Sequence, residues 1–340
     1  MFNWLLVAYW HNLREKRAGI KDFKKYKPMY GQKMIIFCFG PYVSSAIEMY
    51  IVDNNGFQNL HSFESIPIIV KNENDFTFNR YKNNVKHMMS KIKALKLEIN
   101  GVFYYGHASS ITIGAWYSTK IFLTVADFTT LILIPLQPII IAWDACYMGL
   151  MSPVYEMCRV KSLKYVVASP ISHPSTSILE MKSFKDVGNP NIQLEKTLYN
   201  ITCEFQAMPK PSYRCLIVLE LKKFQPLVKK LGVLLHPSKI DKYFDFVDKN
   251  QIDPDDNTTF DLYRSCIDHV LKKQIKNVHL HTCNIDACKT TKGISIDLYV
   301  PHKYRYAFKQ MQWYKKLKNV LRDDENYGWK EEKRSIPYVF

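Results

Sequence analysis

Two residues able to do acyl-transfer chemistry stand at matching places in this chain. The apolar run Ile139-Ile140-Ile141-Ala142-Trp143 stops at Asp144-Ala145-Cys146-Tyr147-Met148-Gly149. Upstream, Gly101-Val102-Phe103-Tyr104-Tyr105 stops in the same way at Gly106-His107-Ala108-Ser109-Ser110. A buried strand thus delivers a histidine at one end and a second strand delivers a cysteine. In an open α/β sheet, reactive groups collect outside the carboxyl ends of the strands. A cysteine thiolate is a nucleophile and a histidine is its natural base. A cysteine after an apolar run is by itself an ordinary core residue. Here an acid precedes it, a glycine follows it and a helix is expected from Ser152. The chain therefore turns at the cysteine, near main-chain N–H dipoles that favour a thiolate. The N–H groups of Ala108 and Cys146 are candidates for holding an oxyanion. Asp144 is either a charge at the substrate pocket or a turn-capping residue.

The elements that must position these residues follow from pattern. Residues 34–40 and 164–169 read as further buried strands, and 66–70 as an edge strand opened by Pro67. Helices are expected over about 43–52, 78–99, 125–133 and 152–160. Strands and helices thus alternate from about 34 to 170, which predicts parallel strands joined by helical crossovers. Residues 170–211 are rich in Ser, Pro, Asn and Lys and read as a loop-rich transition. Beyond them helices are expected near 224–235, 238–248, 260–275 and 304–321, with strands near 277–283 and 293–300.

The chain has 340 residues, 47% of them hydrophobic, and a formal net charge of +16. Such a charge attracts anionic partners. The basic residues are scattered, however, with no basic–aromatic repeat, zinc-finger spacing or phosphate-cradling glycine loop, so nucleic-acid binding is not the expected role. The eight cysteines do not read as a disulfide framework in a chain of this length. Together with the absence of a recognisable signal peptide they point to the cytoplasm or another reducing intracellular compartment. The apolar start, Met1 to Trp10, is too short to span a bilayer and reads as an amphipathic helix docked on the body. His279, His281 and Cys283 share one strand face, but ordinary strand alternation explains them and no metal site is expected.

These residues carry a family resemblance. The chain resembles the clostripain-like cysteine peptidases, relatives of caspases, gingipains and legumain, in Gly106-His107-Ala108 and in Asp144-Ala145-Cys146-Tyr147-Met148-Gly149. Pro153-Val154-Tyr155-Glu156-Met157, Tyr165-Val166-Val167-Ala168-Ser169 and Gly293-Ile294-Ser295-Ile296-Asp297-Leu298-Tyr299-Val300-Pro301 resemble later family segments in order. The chain departs from the family at Ala108, where a glycine is usual. It departs again after Ser169, where acids that select a basic residue are replaced by Pro170-Ile171-Ser172-His173-Pro174-Ser175.

The resemblance implies a caspase-like α/β/α sandwich with a mainly parallel sheet and an additional C-terminal α+β region. The expected layout is an N-terminal extension over 1–33, a catalytic core over 34–210, a C-terminal helical and strand-bearing region over 211–322 and a charged tail over 323–340. The implied activity is peptide hydrolysis by His107 and Cys146, after Arg or Lys if Asp144 supplies the pairing charge. The alternative is a catalytically silent relative with a structural, packaging or interaction role. The chemistry requires no cofactor, and the resemblance leaves room for calcium. A protein or peptide substrate and self-association are the expected interactions. Lys120, the one basic residue between His107 and Cys146, is the candidate self-cleavage point.

Overall fold

Residues 3–9 form a fully buried strand in the middle of the molecule. All seven side chains of Asn-Trp-Leu-Leu-Val-Ala-Tyr are buried, as a strand covered by helices on both faces requires. The computed structural model describes residues 2–10, 12–40, 46–64, 78–114, 121–171, 177–208, 215–235, 239–246, 251–253, 256–281, 294–297, 299–300, 305–317 and 322–323.

The elements run β1 (Asn3–Tyr9), α1 (Leu13–Lys25), β2 (Lys33–Phe39), β3 (Ala46–Asp53), β4 (Gly56–Glu64), α2 (Phe78–Ala94), β5 (Gly101–Tyr105), β6 (Thr112–Gly114) and β7 (Ile121–Thr124). Then α3 (Val125–Phe128) passes through a π turn (Thr129–Leu133) into α4 (Ile134–Leu136). There follow β8 (Ile140–Asp144), α5 (Met151–Met157), β9 (Tyr165–Ala168), two 3₁₀ turns (Ile178–Glu180 and Lys182–Asp186), α6 (Leu194–Ala207), β10 (Ile217–Glu220) and α7 (Leu221–Leu234). The remainder comprises α8 (Ile240–Tyr243), β11 (Gln251–Asp253), β12 (Asp256–Asp261), α9 (Leu262–Ser265), α10 (His269–Val278) and β13 (His279–His281). It closes with β14 (Ser295–Asp297), β15 (Tyr299–Val300), α11 (Arg305–Gln310), α12 (Gln312–Leu317) and β16 (Arg322–Asp323).

The main sheet has nine strands in the order β13-β10-β9-β8-β5-β1-β2-β3-β4. Its centre, from β9 through β8, β5 and β1 to β2, is parallel. The strands on both flanks are antiparallel. Alternate side chains of the central strands feed two cores. Leu5, Val7 and Tyr9 join α2, α5, α7 and α10 through Val85, Met88, Met151, Val154, Phe224, Leu231, Leu271 and Ile275. Trp4, Leu6 and Ala8 join α1 and α6 through Phe23, Leu198, Ile201 and Phe205. This is the three-layer caspase-like α/β/α arrangement.

Several expectations are corrected. The apolar start of the chain is not a docked amphipathic helix but the strand β1, which pairs with both β2 and β5, so the stretch set apart above as an extension supplies a strand of the main sheet, and its helix is α1. A run apolar at every position has no helical stripe, and burial on two faces explains it better. The helix expected over 43–52 is the strand β3, hairpinned to β4, with Tyr50 stacked on Phe57 at 4.8 Å. The transition over 170–211 contains α6, whose apolar stripe packs on the second core. The helix expected over 260–275 is interrupted: Asp261 ends β12, and Asp268 caps α10 by accepting from Leu271 N–H at 2.7 Å. The expected strand over 66–70 and the tail beyond 323 lie outside the described residues. The chain from 211 onward contributes β10 and β13 to the main sheet.

Candidate active site

β5 and β8 are neighbouring parallel strands with Tyr105 in register with Asp144. His107 and Cys146 each lie two residues beyond that pair, so they leave the sheet at the same edge. Between them Gly106 donates its N–H to the Asp144 carbonyl at 3.3 Å. Gly106 has φ of 145°, and a Cβ there would lie 2.7 Å from the Tyr9 carbonyl oxygen and 3.1 Å from the Tyr104 hydroxyl. Only glycine suits this crossing.

The His107 segment is fastened through its main chain. The His107 carbonyl accepts from the Tyr104 hydroxyl at 2.9 Å and from Gly114 N–H at 2.7 Å. Ala108 is buried and bridges to Ile113, and Ser109 turns the chain by accepting from Ile111 N–H and Thr112 N–H. The His107 side chain itself is exposed. The protein around it still disfavours the imidazolium and lowers its pKa, while Glu15 in α1 pulls the other way. A ring that resists protonation is suited to accept a proton near neutral pH.

Cys146 is half-buried, in a turn held from both sides. Tyr147, at φ 59°, occupies the left-handed region, which a bulky side chain adopts only under tertiary constraint. Its N–H donates to the Ile171 carbonyl at 3.0 Å, and Gly149 N–H donates to the Ser169 carbonyl at 2.8 Å. A Cβ on Gly149 would come within 2.8 Å of Pro170 N. The helix that follows, α5, starts at Met151.

Asp144 is buried, and its Oδ2 accepts from the Ser177 hydroxyl and from Ile178 N–H at 3.2 Å. It therefore caps the 3₁₀ turn Ile178–Glu180, where Ser177 and Glu180 also form a capping box. Burial pushes the Asp144 pKa up to about 7, the bonds from Ser177 and Ile178 oppose the rise, and Glu180 adds to it. Four carboxylates, Asp144, Asp22, Glu180 and Glu15, act on the half-buried Tyr105 hydroxyl and hold its pKa above the ordinary value, after burial as the first cause. Ser177, Glu180, Glu15 and Tyr104 carry no sequence signal of this kind. Lys120 lies outside the described residues.

His279 is occupied as a structural residue. Its Nε2 accepts from Ile294 N–H at 2.8 Å and its Nδ1 lies 3.3 Å from the Lys276 carbonyl. Burial drives its pKa down to about 4. The side chains of His281 and Cys283 lie outside the described residues. Among the described residues no group of three or more His, Cys, Asp or Glu stands close enough to hold a metal ion. No step below runs through the calcium for which the resemblance leaves room.

Known proteins give the fold a family context. No known family profile and no curated protein sequence matches the chain. Solved structures do. An inactive zymogen C11 protease from Parabacteroides distasonis is 13% identical, with a TM-score of 0.63 over 92% of this chain and 97% of that one. A secreted C11 cysteine protease from Bacteroides thetaiotaomicron, iotapain, is 12% identical, with a TM-score of 0.65 over 93% and 99%. A secreted C11 protease from the same organism, in complex with an irreversible peptide inhibitor, gives 0.62 over 93% and 98%, at 12% identity. The chain has the fold of the C11, clostripain-type cysteine proteases.

The expectation of a reducing intracellular compartment does not stand. The matching iotapain structure is that of a secreted protease. In this chain Cys203, on α6, is disulfide-bonded, which a reducing compartment disfavours. No helix among the described residues is long and apolar enough to cross a membrane.

Proposed function

We propose that this protein is a cysteine peptidase in which Cys146 is the nucleophile and His107 its acid–base partner. One observation carries the reading: His107 and Cys146 follow, at equal spacing, the registered pair Tyr105 and Asp144 on adjacent parallel strands. The C11 protease fold around them supports it, as does the peptide inhibitor bound to one protein of that fold.

In the first step His107 takes the Cys146 thiol proton and the thiolate sulfur bonds to the carbonyl carbon. The negative charge on the substrate oxygen is held by the N–H groups of Ala108 and Cys146. The C–N bond then breaks, and His107 passes its proton to the departing amine. Water attacks the thioester with His107 as base, the C–S bond breaks, and the acid product leaves as the thiol regains its proton.

Cleavage after Arg or Lys belongs to the same reading. The four carboxylates acting on Tyr105 make this edge locally acidic in a chain of net charge +16. A basic side chain approaching Asp144 must compete with the Ser177 hydroxyl for its carboxylate. Lys120 is the corresponding candidate for self-cleavage. The test is labelling with a peptide that ends in lysine and carries a thiol-reactive electrophile. The expected result is one adduct on Cys146 by peptide mapping, absent from Cys146→Ala. An unlabelled wild type that also hydrolyses no peptide in a mixed library would overturn the reading.

A further inference from the structure

The Tyr104 hydroxyl is a buried polar group at the centre of the site, and the steps above do not use it. Its ring is fully buried and packs against Trp143 at 5.4 Å and Phe128 at 5.9 Å. Tight packing on two aromatic neighbours leaves the side chain one place to put its hydroxyl. That place is not an apolar wall: the group donates to the His107 carbonyl at 2.9 Å. It also lies 3.1 Å from where a Cβ on Gly106 would be. Gly114 N–H donates to the same carbonyl at 2.7 Å. Two donors thus converge on one acceptor, at the residue that carries the imidazole.

The chemistry of the group fits a fixed donor. Burial holds its pKa far above the ordinary value, so it stays protonated across any working pH. Negative charge on Cys146 opposes its ionisation further, so the hydroxyl and the thiol are within electrostatic reach. Trp143, which packs on the ring, lies three residues before Cys146 on the neighbouring strand. One rigid side chain therefore touches the strand that delivers the cysteine and the main chain that delivers the histidine.

We infer that Tyr104 is a positioning residue for the peptidase reaction: its hydroxyl pins the His107 main chain so that the imidazole meets the Cys146 thiol. The inference rests on the dyad reading above. Nothing in it requires Tyr104 to touch substrate. Small misplacements of a catalytic group cost rate steeply, of the order of 100-fold for about 1 Å.

The test is Tyr104→Phe, which removes the oxygen and keeps the ring. Rates are normalised to folded enzyme by titrating Cys146 with the electrophilic peptide, and a melting curve is recorded for each protein. The expected result is a fall in kcat of about 10-fold or more, with KM nearly unchanged. The acid limb of the kcat/KM profile should move up towards ordinary imidazole as the ring loosens into solvent. Para-aminophenylalanine at position 104, which keeps a donor on the same ring carbon, should restore most of the rate. A folded Tyr104→Phe protein with wild-type kcat and pH profile overturns the inference and leaves the dyad standing. A variant whose loss is fully explained by its unfolded fraction, or that does not fold, assigns the hydroxyl to stability and also overturns it. An inert, unlabelled wild type overturns the dyad reading and the Tyr104 role with it.

Discussion

The Ser177 hydroxyl donates to the Asp144 carboxylate and so ties the chain after β9 to the strand end that carries Cys146. Ser177 Oγ in turn accepts from Leu179 N–H at 3.1 Å. Two main-chain bonds from Tyr147 and Gly149 to Ile171 and Ser169 hold the other side of the same turn. The cysteine is therefore gripped before and after, by Ser169 and Ile171 on one side and by Ser177 and Ile178 on the other. Asp144 is first an anchor, and any part in substrate selection is played from an occupied carboxylate.

Asp144 should make the fold pH-sensitive. Its pKa is about 7 in the folded chain against 3.8 ordinarily. A carboxyl with a raised folded-state pKa stabilises the fold at low pH, where both states hold the proton. That contribution falls as pH rises from about 4 to about 7, because only the unfolded chain releases the proton freely. The loss is at most about 1.4 kcal/mol per pH unit in that window. Asp144→Asn, which keeps an acceptor for Ser177 and Ile178, should gain on wild type in melting temperature from pH 5 to pH 8. Parallel melting curves over that range would contradict the buried-anchor assignment. A peptide-library profile of the same variant tests specificity: a lost preference for Arg or Lys keeps Asp144 at the substrate, and an unchanged one removes it.

Two glycines separate strain from crowding. Gly56, which opens β4 just after the hairpin turn, has φ of 98° and nothing within 4 Å of a built Cβ. Gly106 has φ of 145° and the Tyr9 carbonyl at 2.7 Å. Gly56→Ala should cost about 1 kcal/mol from the dihedral alone and leave activity intact. Gly106→Ala adds a clash with main chain beside His107, so it should cost about 2–4 kcal/mol and abolish hydrolysis. Denaturant melts and peptidase rates of both check this. Equal stability losses would mean the β5 crossing tolerates a side chain.

What could be read beforehand follows the same physics. β5 and β8 were legible because each apolar run stops abruptly, at Gly106 and at Asp144, and the shared stopping point is a local property. β1 was not, since Trp4 to Tyr9 is apolar at every position and a fully buried strand has no period to distinguish it from a buried helix. β3 does not show in the sequence because Ala46 to Asp53 gains its strand identity from pairing with β2 on one side and β4 on the other, which no local pattern states. The candidate dyad was visible; its supports were not. Ser177 meets Asp144 across 33 positions of chain, and a serine followed by Ile-Leu-Glu looks like any helix start. Tyr104 reads as one more aromatic in a strand until its hydroxyl is seen at the His107 carbonyl.

The disulfide at Cys203 should be visible by mass spectrometry. Alkylation under non-reducing denaturing conditions should leave Cys203 unmodified, and prior reduction should expose it. Disulfides in domains of this kind contribute about 2–4 kcal/mol, so Cys203→Ser should lower the melting temperature measured without reductant. A fully alkylated Cys203 before reduction would overturn the disulfide assignment.

Among the described thiols, native-state alkylation should find Cys146 first. The thiolate is the reactive form, so burial that raises a thiol's pKa also makes it inert. Burial pushes Cys38 and Cys158 up to about 12 and raises Cys266. Cys215 is buried. Cys146 is half-buried in a turn at the open edge of the sheet, next to the strand that presents His107. Iodoacetamide at neutral pH should therefore modify Cys146 at least about 10-fold faster than Cys38, Cys158, Cys215 or Cys266. His107→Ala should slow that reaction towards the rate of an ordinary thiol while leaving the other cysteines untouched. The acid limb of the wild-type rate reports His107, whose lowered pKa means that falling pH protonates the ring late. The reaction should persist to pH values below those at which a free imidazole is half protonated. Time-resolved peptide mapping of the alkylated protein, with and without His107→Ala, measures all of this at once. A Cys146 that reacts no faster than Cys158, or whose rate ignores the loss of His107, would show that the two residues share a sheet edge without sharing a proton.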